Sequence, residues 1–127
     1  MKLRIQGDSL RLRISRSELA RFVETGHVEE TIHFGRESGA ELTYALSRDE
    51  LRKSVEVEYS PDRVTVLLPG AEAYAWSATE QIGIAGEVDL GPHGTLSVLV
   101  EKDFACLDRG AAENADTFPN PLAAHIC

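Results

Sequence analysis

Cysteine is nearly missing from this chain: Cys106 and Cys127 are the only two in 127 residues. Two such cysteines make no disulfide framework of the kind that staples small secreted domains, and there is no CxxC pair to begin a zinc site. No apolar run approaches the roughly 18–20 residues a membrane-spanning helix needs. The opening stretch, MKLRIQGDSLRLR, alternates charge with aliphatics and holds no signal-peptide core. A phosphate-binding glycine loop, HExxH and GxSxG are absent too, so the common enzyme signatures are missing. Positive charge is scarce, 13 Lys and Arg against 21 Asp and Glu, and the net charge of −8 argues against non-specific binding to nucleic acid or anionic membrane. These absences lead us to expect a cytoplasmic protein with reduced thiols, no nucleic-acid partner and no membrane partner.

What is present suits one domain with a real core: 43% hydrophobic and 27% charged residues. Leu3 and Ile5 alternate with Lys2, Arg4 and Gln6; after Gly7-Asp8, Leu10, Leu12 and Ile14 alternate with Arg11 and Arg13. This is a β-hairpin with one aliphatic and one basic face. Ser15-Arg16-Ser17-Glu18 is a capping box, and the spacing of Leu19, Phe22 and Val23 up to Gly26 predicts a short helix over Arg16–Thr25. Val28, Ile32 and Phe34 answer Leu42, Tyr44 and Leu46 as a second hairpin. Val55, Val57 and Tyr59 answer Val64, Val66 and Leu68 as a third. Pro69 precedes a short helix over 71–77, and Ile82, Ile84 and Val88 pair with Leu96, Val98 and Val100 across Gly91-Pro92-His93-Gly94. The order is ββαββββαββ. Short connections favour antiparallel neighbours. The expected fold class is α+β, mainly β: a curved antiparallel sheet or partly open barrel of about eight strands with two short helices. No repeat is compelling in the residues, although the two strand–strand–helix beginnings suggest one. Residues 1–104 make the domain, and 105–127 form a tail folded back on it, with a loop over 110–116.

The basic hairpin face is the first candidate site. Lys2, Arg4, Arg11 and Arg13 share one side of two paired strands, and arginine forks suit phosphate or carboxylate oxygens. Glu29, Glu56 or Glu58 from neighbouring strands would neutralise them if the face is merely solvated surface. A barrel with this face turned inward resembles the triphosphate tunnel enzymes, with Glu56, Glu58, Glu101 and Lys102 as complements. Those enzymes begin with Glu-x-Glu-x-Lys, whereas this strand reads Lys-Leu-Arg-Ile-Gln, which removes the expected metal carboxylates.

The second candidate is the strand-to-tail joint, Glu101, Lys102, Asp103 and Cys106, with Phe118 in the segment Phe118-Pro119-Asn120-Pro121. The prolines stiffen that segment, and Phe118 is free to dock on this chain or a partner. Cys106, between Ala105 and Leu107, reads as a small buried hydrophobe, because no histidine lies near it in sequence to activate a thiolate. Asp103, Asp108, Glu113, Asp116, His125 and Cys127 have no zinc or calcium spacing, so no metal and no cofactor are expected.

The stretches Met1-Lys2-Leu3-Arg4-Ile5, Ser9-Leu10-Arg11-Leu12-Arg13 and Val28-Glu29-Glu30-Thr31-Ile32 carry a resemblance, together with Glu101-Lys102-Asp103-Phe104, Cys106-Leu107 and Phe118-Pro119-Asn120-Pro121. Together they resemble a family of small bacterial domains of unknown function. The resemblance implies that the tail belongs to the domain, and it brings no catalytic residue. The expected function is that of a non-enzymatic, anion-binding or interaction module, monomeric or homodimeric, taking a phosphate-bearing small molecule or a protein partner. The alternative is a polyphosphate- or phosphoester-acting enzyme that uses the basic hairpin.

Overall fold

The first hairpin forms as its alternation dictates. β1 (Lys2–Gln6) and β2 (Ser9–Ile14) pair antiparallel, with Lys2 opposite Arg13, Leu3 opposite Leu12 and Arg4 opposite Arg11. The structure is a computed structural model and describes residues 1–105, 110 and 114–119. Leu10, Leu12 and Ile14 are buried, so the arginines between them face outward. α1 (Arg16–Thr25) follows with its capping box complete: the Ser15 hydroxyl accepts from the Glu18 amide, and the Glu18 carboxylate accepts from the Ser15 amide. Gly26 ends it in the left-handed conformation at φ 78°, donating its amide to the Phe22 carbonyl.

The remaining elements are β3 (His27–His33), β4 (Glu41–Asp49), β5 (Glu56–Ser60), β6 (Arg63–Pro69), α2 (Gly70–Ala78), β7 (Gly83–Asp89) and β8 (Thr95–Lys102). A single 3-10 turn, Gly91–His93, joins β7 to β8. The fold is α+β and mainly β, in the order expected, but it is two four-stranded sheets with no closed barrel. Their orders are β1-β2-β8-β7 and β3-β4-β6-β5. The four hairpins are antiparallel, as short connections require, whereas the hairpins join each other through parallel pairs, β2 with β8 and β4 with β6. Sequence reasoning from connection length reaches only neighbours along the chain, and these central pairs are not neighbours. β4 runs on past Leu46 through Arg48 and Asp49.

The chain is a duplicated ββαββ unit, and the two copies are interlocked. β1, β2, α1, β3 and β4 correspond in order and pairing to β5, β6, α2, β7 and β8, and each sheet takes one hairpin from either copy. Equivalent residues fall at one constant separation through the first three elements: Ile5 with Tyr59, Leu12 with Val66, Ile14 with Leu68, Phe22 with Trp76. The registers agree across the sheets, since Leu12 lies beside Val100 just as Val66 lies beside Leu46. Phe22 and Trp76 meet edge to face near the centre, ring centroids 6.1 Å apart, and both are almost fully buried. No helix among the described residues is long and apolar enough to cross a membrane.

Candidate functional site: the basic hairpin face and the strand-end joint

On the outward face of β1 and β2, the cross-strand pairs Lys2–Arg13 and Arg4–Arg11 set four cations side by side. Their partners come from the neighbouring strand β8 and the residue just past it. Glu101 accepts from Arg11 through Nε at 2.7 Å and also through Nη2, and from Arg13 Nε at 3.1 Å. Lys2 Nζ donates to Asp103 Oδ2 at 2.9 Å. The carboxylates foreseen as neutralising partners lie on the other sheet and serve other residues: Glu29 meets His27 and Arg63, while Glu56 and Glu58 meet Arg52. The sheet interior is aliphatic on this hairpin's side, so these four cations do not line a tunnel.

Arg4 has no carboxylate partner among the described residues; its guanidinium reaches only Gln6 Oε1, at 3.4 Å. With Arg11 it borders a concavity of about 480 Å³, together with Gln6, Ser9, Ser97 and Glu87 above a floor that includes Leu99 and Ala85. Four cations against two paired carboxylates leave this face positive, with Glu87 as the single acid on the far wall.

At the joint, the residues Glu101, Lys102 and Asp103 part company. Glu101 stays on the hairpin face, Asp103 is buried beneath Lys2, and Lys102 turns inward toward α2 with 6% of its surface exposed. Lys102 Nζ donates to the carbonyl of Thr79, the residue that ends α2, at 2.7 Å. It also lies 5.6 Å from the centre of the Phe118 ring. Burial pushes the Lys102 ammonium below the ordinary lysine range. Phe118 docks on its own chain: its amide donates to the Asp103 carbonyl, its carbonyl accepts from the Ala105 amide, and its ring packs edge to face on Phe104. Asp116 caps α1, accepting from the Ser17 amide at 3.0 Å and from the Ser17 hydroxyl, which holds its carboxyl below the usual range. Cys106 lies outside the described residues.

Sequence reasoning missed the polar crevice at the start of α1. Glu18, only 5% exposed, takes the Met1 ammonium as well as the Ser15 amide. Burial opposes its charge, yet these partners hold its carboxyl below the usual range. Nearby, Tyr44 donates to Glu30 at 3.0 Å, and burial together with that carboxylate pushes its phenol up to about 12. The capping box was the readable signal for Glu18, but nothing local announced the ammonium. Among the described residues, no group of three or more His, Cys, Asp or Glu side chains stands together to hold a metal.

Fold and site together define a small mixed-sheet domain with a basic outer face and a tail segment stitched to its joint. The chain belongs to a family of unknown function, DUF7009, whose model matches residues 1–122. No curated protein and no solved structure matches it.

Proposed function

We propose that the domain is a non-enzymatic binding module of the bacterial cytoplasm that takes an anionic group, a phosphate above all, on the outer face of the β1–β2 hairpin. Arg4 carries this reading. It stands beside Arg11 in a concavity of about 480 Å³ without a carboxylate of its own among the described residues. Its planar fork then has donors to offer an incoming oxyanion, while Glu101 fixes the neighbouring Arg11 side chain in place. Turnover of a phosphoester through a metal would need free carboxylates, and Glu101 and Asp103 are engaged by Arg11, Arg13 and Lys2. That favours binding over hydrolysis.

Thermal unfolding against pyrophosphate, tripolyphosphate and a nucleoside triphosphate, each with and without Mg²⁺, tests this. Ligand at about 100 times its Kd stabilises by about 2.7 kcal/mol, a rise of several degrees for a chain of this size. The expected result is a rise independent of Mg²⁺ that Arg4→Gln weakens about ten-fold or more in concentration. Arg4 is the clean variant, because removing Arg11 would also strip a partner from Glu101, whose side chain is only 13% exposed. No rise at about 10 mM of any of the three sinks the phosphate reading. A Mg²⁺-dependent rise with product release would replace it by the enzymatic one.

A further inference from the structure

The two copies of the ββαββ unit act as each other's control, and at one position they differ in a way that points to a ligand. Lys102 at the end of β8 corresponds to Arg48 near the end of β4: Ile14 lies opposite Lys102 in one sheet, and Leu68 opposite Arg48 in the other. Both cations turn to the C-terminal end of the helix in their own copy. Arg48 Nη1 stands 3.5 Å from the Val23 carbonyl of α1, and Lys102 Nζ stands 2.7 Å from the Thr79 carbonyl that ends α2. Neither helix has a basic residue in its own last turn, so each borrows one from a strand end. Helix capping therefore accounts for part of what Lys102 does, and for the same part of what Arg48 does.

The rest is not shared. Arg48 has a carboxylate two residues on, Glu50, with its Oε1 3.1 Å away. Two residues after Lys102 the chain carries Phe104 instead. Lys102 is the more buried of the two cations, and it has no carboxylate within ion-pair distance among the described residues. Burying an ammonium is costly, the Glu80 carboxylate offsets that only from beyond ion-pair distance, and among the described residues one carbonyl leaves two of its three N–H donors without an acceptor. The ammonium borders a cavity of about 480 Å³ whose walls include Phe104, Phe118, Ile82 and Pro119, with Ser77, Thr79 and Glu80 as its other polar residues. That volume is of the size small ligands occupy.

We propose that this cavity binds a small organic monocarboxylate, with its carboxylate on the Lys102 ammonium and its apolar body between Phe104, Phe118 and Ile82. The ligand supplies the counter-charge that Glu50 supplies in the other copy. Glu80 on the wall selects for a single negative charge, since a phosphate dianion would face one cation and one carboxylate at close range. The site shares no lining residue with the Arg4 concavity and stands or falls independently of it.

The protein carries its own reporter. Trp76 is the only tryptophan, and its indole N–H donates to the Ile82 carbonyl at 3.0 Å, on the wall of the cavity. Phenylacetate and 4-methylpentanoate are titrated into the full chain while tryptophan emission is followed, with phenylacetamide as the neutral match. Saturable binding is expected for both acids, about ten-fold or more weaker for the amide. Phe104→Glu, which rebuilds the internal ion pair of the other copy, abolishes it, as does Lys102→Met, whereas Arg4→Gln leaves it within about two-fold. Circular dichroism confirms that each variant is folded, and the acid–amide comparison in the unaltered chain remains decisive if one is not. No saturation by either acid at about 10 mM, equal binding of acid and amide, or undiminished binding in folded Phe104→Glu each overturns the proposal.

Discussion

Lys102 shows how one residue can carry two roles that sequence alone does not separate. Along β8 it is the last of a run in which Val98, Val100 and Lys102 face the interior while Ser97, Leu99 and Glu101 face out. Period-2 alternation thus puts a lysine where an aliphatic is expected. Because burial lowers its proton affinity, the unfolded chain holds more protons than the folded one between the folded pKa and the ordinary lysine value of about 10.4. The cost of burying the charge is present in full below the folded pKa and is relieved as pH rises through it. Relative to Lys102→Met, the protein is therefore expected to gain stability as pH is raised from 7 toward 10. Urea unfolding of both chains at a series of pH values checks this, and a constant difference would mean the ammonium is solvated in the folded state.

At the scale of elements, the helices are short and their ends are finished from elsewhere. α1 supplies its own N-cap, Ser15, and then receives Asp116 from the tail and Arg48 from β4. α2 begins after Pro69 with no side-chain cap and ends on the Lys102 bond. The capping box, Gly26 and the limits of α1 were legible because their signals are local. The cations at the helix ends were not, because the residues that provide them lie on the second strand after each helix. The meeting of the two sheets is another element-scale contact. A Cβ on Gly86 of β7 would come within 2.7 Å of the Val55 Cβ, at the near edge of β5. Gly86 is thus a point where the edges of the two sheets approach. Gly86→Ala is expected to destabilise by about 1–3 kcal/mol through overpacking. Denaturant midpoints measure this, and a neutral substitution would mean the edges separate readily in solution.

For the whole molecule, the interlocked duplication sets the unit of folding. Neither copy has a complete sheet, because β2 needs β8 and β6 needs β4. The central Phe22–Trp76 contact likewise takes one ring from each copy. A fragment of residues 1–50 is thus expected to show no cooperative unfolding transition by itself, and to regain one when mixed with residues 51–127. Circular dichroism of each fragment and of the mixture is the check; a cooperative transition in either fragment alone would show that one ββαββ copy suffices. The duplication escaped sequence reading for a physical reason. What the copies share is burial and direction, not residue identity: Leu12 and Val66, or Phe22 and Trp76, satisfy the same packed position with different shapes.

The sequence by itself determined the element order, the two faces of the first hairpin, the first helix with its caps and the mainly β class, because each follows from alternation or capping within a few residues. Tertiary structure alone decided which hairpins share a sheet and that their central strands run parallel. It also decided that Glu101 and Asp103 claim three of the four hairpin cations, and that Lys102 lies buried beside Phe118 with no carboxylate within ion-pair distance among the described residues. Those outcomes join residues from opposite ends of the chain, and they are fixed by burying the aliphatic faces of all four hairpins in one core.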